Sequence, residues 1–233
     1  MTEAWDDIAE WWIAAVRDDP GQSSDTHDVL DELLVGTSGT TLELGCGEGQ
    51  GMRRLSRHGS GWVVGVDMSL GLLRHAQQAG AVVKARLPDL SWARSDVAGR
   101  AVSVGLLDLV ADHERFFAET ARVVRPGGHL VVVINHPVGT SPGSASLVDP
   151  DGEILWRWGA YLTPGTQPDE VEGRTVELFH RPIGVLLSAA AAAGWSLQAM
   201  VERGPSTATI DLSDEMHGHE HIPSIAGFRW RRR

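Results

Sequence analysis

The chain is 233 residues long with 42% apolar side chains, enough for one well-buried core and short for two independent domains. Its 31 acidic against 20 basic residues leave a formal net charge of −11. That balance argues against nucleic acid as a substrate, because phosphate repulsion would have to be overcome by a strong local basic face.

The one concentration of positive charge, residues 229–233 interrupted by Trp230, reads as a solvated terminus. Cys46 is alone, which rules out an internal disulfide and fits a reducing cytoplasm. The opening MTEAWDDIAEWW is acidic and amphipathic, unlike the basic start of a signal peptide. The longest apolar runs, 130–134 and 183–193, fall short of the roughly 20 residues that span a bilayer, so a soluble protein with no membrane partner is expected.

In chain order, residues 3–17 place Trp5, Ile8, Trp12 and Val16 at helical spacing, and Pro20-Gly21 stops that helix. A second helix is expected over 25–34. From residue 40 short apolar runs alternate with amphipathic stretches. Strands are predicted at 40–44, 62–66, 81–85, 101–104 and 128–134, and helices at 51–57, 69–79 and 113–124. Residues 86–100 are weakly patterned and read as a loop with at most one helical turn. The alternation argues for a parallel sheet covered on both faces. Residues 137–175 break the rhythm with a long Gly-, Pro-, Ser- and Asp-rich connection that holds Trp156, Trp158 and Tyr161. A helix over 180–193 and strands at 195–202 and 224–230 complete the pattern.

The segment TTLELGCGEGQGMRRL, residues 40–55, is the most informative. A buried strand ends at Leu44 and is followed by Gly45, Gly47 and Gly49, with Gly51 beyond. Glycines there allow a sharp turn and close backbone approach to a ligand, and the next helix presents free N–H groups. Asp67, ending the second strand in VVGVDMS, suits the two ribose hydroxyls of an adenosine-containing ligand. A dinucleotide fingerprint would need glycine where Gln50 stands, and Glu43 would repel a pyrophosphate. A ligand with an amino group and a sulfonium cation suits Glu43 better.

E-x-G-x-G-x-G followed by an Asp-terminated strand resembles the class I S-adenosylmethionine-dependent methyltransferase family. FFAETARVVRPGGHLVVV (116–133) resembles that family's helix, turn and fifth strand, and HRPIGVLLSAAAAAGW (180–195) its late helix. The resemblance implies an α/β, Rossmann-like doubly wound sheet of seven strands, mostly parallel with the last strand antiparallel. It implies S-adenosyl-L-methionine as cofactor, with Gly45, Gly47 and Gly49 along its amino-acid part, Asp67 on the ribose, and Met68, Arg86 and Leu87 near the adenine. The acidic residue common in that family near position 85 is missing here.

For the acceptor side, His136 and Asp108 follow the fifth and fourth strands and are the candidate catalytic bases, because an alcohol must lose a proton as it is methylated. The alternatives are a histidine bonded to backbone before Pro137, and a helix cap, for which Asp112 is better placed. Trp11, Trp156, Trp158, Tyr161 and His180 are the candidate substrate contacts, since tryptophan offers a flat surface and one donor. Glu43 has a capping alternative, and Cys46 reads as packing rather than as a nucleophile. The stretch 211–221, with Glu215, His217, His219, Glu220 and His221, reads as a polar turn, as do Asp149 and Asp151, so no metal is expected.

The expected protein is one domain over 1–233, with lid helices at 1–35 and an inserted cap at 137–180. It would be a cytoplasmic monomer or homodimer that methylates a hydroxyl of a small molecule, a saccharide or secondary metabolite. N-methylation of a small amine, or cofactor binding without turnover, are the alternatives.

Overall fold

The computed structural model describes residues 2–18, 20–58, 60–171, 173–211 and 217–233. The first helices are α1 (Thr2–Asp7), α2 (Ala9–Asp18) and α3 (Pro20–Leu34). The single helix expected over residues 3–17 is divided at Ile8 into α1 and α2, and the expected stop at Pro20-Gly21 adjoins residue 19, outside the described residues. Pro20 itself opens α3, where a fixed φ and missing N–H suit a first helical turn. The side chain of Val16 and all of Glu215 lie outside the described residues.

The central sheet is built from β1 (Gly39–Leu44), β2 (Ser60–Asp67), β3 (Ala81–Lys84), β4 (Ala98–Val104), β5 (Val124–Asn135), β10 (Trp195–Arg203) and β11 (Ile225–Arg232). Its seven strands run in the order β10-β11-β5-β4-β1-β2-β3. β11 is antiparallel to both β5 and β10, while β5, β4, β1, β2 and β3 pair in parallel. The helices α4 (Gln50–Arg57), α5 (Leu70–Ala76) and α6 (His113–Val123) connect the parallel strands.

Both faces of the sheet are dry, as a parallel sheet requires. Along β5, Leu130, Val132 and Ile134 join one core with Phe116, Phe117, Trp195 and Trp230. Val131 and Val133 point the other way and pack with Val29, Leu33, Met52 and Leu55. This period-two alternation within an unbroken apolar run places β5 at the centre of the fold. No helix among the described residues is long and apolar enough to cross a membrane.

The stretch expected as a long loop is ordered differently. It holds a helical turn, α7 (Pro137–Thr140), and two antiparallel hairpins: β6 (Ala145–Val148) with β7 (Ile154–Arg157), and β8 (Gly165–Val171) with β9 (Arg174–His180). Turn residues concealed the short strands between them. The Asp149 side chain accepts from the N–H groups of Asp151 and Glu153, which explains the aspartates around Pro150 as a turn. The late helix, α8 (Ile183–Ala192), starts later than expected because β9 runs through His180 and Pro182 stands at the helix cap. The Arg181 guanidinium is buried and donates to the carbonyls of Leu107, Val110 and Ala111, tying β9 to the 3-10 turn Leu107–Leu109 that follows β4.

Candidate active site

The parallel strands all end at one edge, where a cavity of about 590 Å³ opens. That volume lies within the ~300–1,000 Å³ usual for small-molecule sites. The glycine loop forms its floor. Gly45 and Cys46 donate to the Val66 carbonyl, which folds the loop back onto β2. Gly47 has φ +52°, and a Cβ added there would meet no described atom within 4 Å, so the surface beside it belongs to the cavity. Gly49 has another role and does not line the cavity: a Cβ on it would stand 2.9 Å from the Cα of Ala76, so its glycine lets α4 start against α5.

Asp67 lines the cavity at the end of β2. Its Oδ2 accepts from Gly47 N–H at 3.0 Å and its Oδ1 from Ser69 N–H at 2.9 Å. The Met68 N–H is a third backbone donor to it, and since a carboxylate has about four acceptor positions, capacity remains for a ligand hydroxyl. Burial raises its pKa above the ordinary carboxylate value, and these backbone donors oppose that.

Glu43 is buried beside the same floor. Its Oε2 has no hydrogen-bond partner among the described residues. Burial, with the nearby charges of Glu48 and Asp67, pushes its pKa up to about 8. An unmatched buried carboxylate is costly until a cation or donor meets it. These acceptors, the remaining capacity of Asp67 beside the unmet carboxyl of Glu43, fit a ligand with hydroxyls and an ammonium group. Cys46 is buried next to it, and burial, followed by the charges of Glu43 and Asp67, raises its thiol pKa, which suits packing and not nucleophilic attack.

Met68, Arg86 and Leu87 line the cavity, and Trp11 does so from α2. Trp5 and Trp12 join it there, their rings edge to face at 5.5 Å. The other substrate candidates do not reach the cavity. Trp156 donates to the Val138 carbonyl and packs on His219. Trp158 is largely exposed against the edge of Tyr161, whose hydroxyl accepts from Ile183 N–H. His180 donates from Nε2 to the Tyr161 carbonyl and accepts the Thr140 hydroxyl at Nδ1. From this segment the residues that line the cavity are Thr175, Val176 and Glu177 of β9.

The expected bases are also displaced. His136 is buried and caps α7: its Nδ1 accepts from Val138 N–H at 3.1 Å. The ring proton therefore sits on Nε2, which donates to Glu202 at 2.8 Å. Both nitrogens are committed and His136 does not line the cavity. Asp108, on the turn after β4, is buried behind Asn135. It accepts from the Asn135 backbone N–H at 3.2 Å and from its side chain, and burial raises its pKa to about 7. Asp112 caps α6, accepting from Arg115 N–H.

Among the lining residues that escaped the sequence reading are Asn135, the last residue of β5, and Thr26 and His27 on α3. Burial holds the His27 pKa below its ordinary value, assisted by the Arg54 charge. Nothing local marks Thr26 and His27, because α3 is held in place by tertiary packing, chiefly on β5 and β11. Among the described residues no three His, Cys, Asp or Glu side chains gather as metal ligands, and His219 pairs with Ser146.

Residues 42–132 match a family model described as a methyltransferase domain. Over 115 residues the chain is 31% identical to trans-aconitate 2-methyltransferase of Azoarcus sp. (strain BH72), covering 46% of this chain and 43% of that protein. The chain thus spans less than half the length of that relative. Among solved structures, an S-adenosylmethionine-dependent methyltransferase from Mesorhizobium loti is 28% identical, with a TM-score of 0.72 over 83% of this chain and 90% of the other. A Listeria monocytogenes structure, 21% identical with a TM-score of 0.77 over 89% and 96%, shares the fold.

Proposed function

We propose that this chain, which belongs to the class I S-adenosylmethionine-dependent methyltransferase family through its residues 42–132, moves the cofactor's methyl group to a hydroxyl oxygen of an uncharged small molecule held in the cavity. The observation that carries the reading is the pairing, in one cavity, of an adenosyl-type donor set with a wall poor in positive charge. When bound, the cofactor supplies a methyl carbon activated by a sulfonium. Glu43 meets the ammonium, Asp67 the ribose hydroxyls, and Met68, Arg86 and Leu87 the adenine.

The protein's task is alignment, since a held geometry removes much of the barrier to an in-line displacement. Asn135, fixed from behind by Asp108, positions the acceptor. His27 is the imidazole that lines the cavity, and its lowered pKa keeps it neutral near pH 7, able to take the hydroxyl proton. Residues 1–35 form a lid, supported by Trp5, Trp11 and Trp12 on one wall. Residues 137–180 form a cap, supported by Thr175, Val176 and Glu177 on another. Glu43, Glu48, Asp67 and Glu177 outnumber Arg86 around the cavity, which does not suit an anion such as the trans-aconitate of the Azoarcus enzyme's name. The lone buried Cys46 supports a reducing, cytoplasmic setting.

The test is transfer of labelled methyl from the cofactor to panels of neutral polyols and phenols, amines, and carboxylic acids. Label on hydroxyl oxygen is expected. Label on amines alone would replace the oxygen reading with N-methylation, and cofactor binding with no transfer to any panel would make this a binding protein.

A further inference from the structure

Two neighbouring aspartates on α1 reach in different directions. The Asp6 carboxylate accepts from the Ser69 hydroxyl at 2.6 Å and from Gly71 N–H at 3.0 Å. Ser69 is fully buried, accepts from Leu72 N–H as the cap of α5, and donates its own N–H to Asp67. A continuous chain of hydrogen bonds thus runs from Asp6 through Ser69 to Asp67 and on to the Gly47 N–H in the floor of the cavity. Asp7 lies 2.9 Å from the Arg174 guanidinium at the start of β9, the strand whose next three residues wall the cavity.

We propose that Asp6 is a positioning residue for Asp67, and that Asp6 and Asp7 together make α1 a clasp between the cofactor-binding turn and the cap hairpin. The proposal rests on the reading of the cavity as a cofactor site. Without Asp6 the Ser69 hydroxyl proton has lost its acceptor inside the protein, and the turn that aims Asp67 relaxes. The Asp7–Arg174 pair is half exposed and contributes little to folding. Its position matters more than its strength, because it joins α1 to the strand whose next residues line the cavity, two segments distant in sequence. Ligand release then requires α1 to leave both partners.

The experiment follows S-adenosylhomocysteine binding to and release from the full chain by stopped-flow tryptophan fluorescence, with Trp5, Trp11 and Trp12 as internal reporters. Asp7→Asn and Arg174→Gln should each speed release about two- to fivefold at low salt, with no further gain in the double variant. The reversed pair, Asp7→Arg with Arg174→Asp, should restore slow release, and 1 M salt should erase the difference between variants. Asp6→Ala should weaken affinity about tenfold, and Asp6→Asn, which keeps an acceptor oxygen, clearly less. Because the reversed pair rescues only through pairing, it separates a latch from damage to α1. Wild-type protein that fails to bind the ligand would defeat the cofactor reading itself. Tight wild-type binding with release unchanged in the latch variants and affinity unchanged in Asp6→Ala would overturn the clasp alone.

Discussion

Glu43 and Gly51 share one volume: a Cβ on residue 51 would stand 1.9 Å from the Glu43 Oε1. The carboxylate enters the cavity floor only because α4 carries a glycine in its first turn. Gly51→Ala should therefore destabilise the fold by about 1–3 kcal/mol, the usual cost of overpacking, and weaken S-adenosylhomocysteine binding. Adding Glu43→Ala should relieve the collision, so that the double variant is more stable than the sum of the singles predicts. Urea denaturation of the four proteins checks this, and strict additivity would disprove the shared volume.

Glu43 also makes stability depend on pH. Its pKa stands at about 8 in the folded chain against an ordinary 4.5, so the folded state holds a proton that the unfolded chain releases. The contribution is whole below about pH 4.5 and is lost as pH rises to about 8, at up to ~1.4 kcal/mol per pH unit. Asp108, held near 7, adds to the same slope. Glu43→Gln should flatten the fall in melting temperature between pH 5 and 8. At pH 7 cofactor uptake should release about one proton in wild type and none in Glu43→Gln, as calorimetry in buffers of different ionisation enthalpy would record.

Gly47 and Asp67 should separate ligand effects from folding effects. No described atom lies within 4 Å of a Cβ at position 47, so Gly47→Ala should cost only the strain of its positive φ, about 1 kcal/mol. Its loss of S-adenosylhomocysteine affinity should be larger. Asp67→Ala should weaken binding by about 1–3 kcal/mol, since the ribose hydroxyls and the backbone N–H groups lose their acceptor. Unchanged affinity in both would remove the cofactor from this floor.

His27→Gln should lower turnover on a hydroxyl acceptor by roughly 10²–10⁴-fold and abolish the acid limb of the pH–rate profile. That limb should lie below the ordinary histidine value, because burial depresses the imidazole. Full activity in His27→Gln would return the proton to solvent.

His136→Ala should instead act on stability. Losing the α7 cap and the Glu202 bond should cost about 1–3 kcal/mol in chemical denaturation. The affinity for S-adenosylhomocysteine should stay within twofold of wild type. A loss of turnover in a variant that keeps wild-type stability would restore His136 as the base.

Much of the framework was legible in the residues. The glycine loop, the Asp67 strand end and the apolar run of β5 are local signals, set by backbone sterics and by the period of buried side chains. The two hairpins within residues 137–180 were not legible. The strands β6 and β7 are only four residues long, and β8 and β9 carry mostly polar, exposed side chains with no apolar run to mark them.

What the sequence determined by itself is therefore the sheet and the cofactor floor, where neighbours along the chain are also neighbours in space. The tertiary structure alone decided which side chains share the cavity. His136 was placed correctly at a strand end, yet Glu202, 66 residues away, occupies its outer nitrogen. Asp6 reached Ser69, and His27 the cavity wall, by helix packing. A side chain's chemistry is written in its own residue type, but its solvent, partners and proton are set by segments that only folding brings beside it.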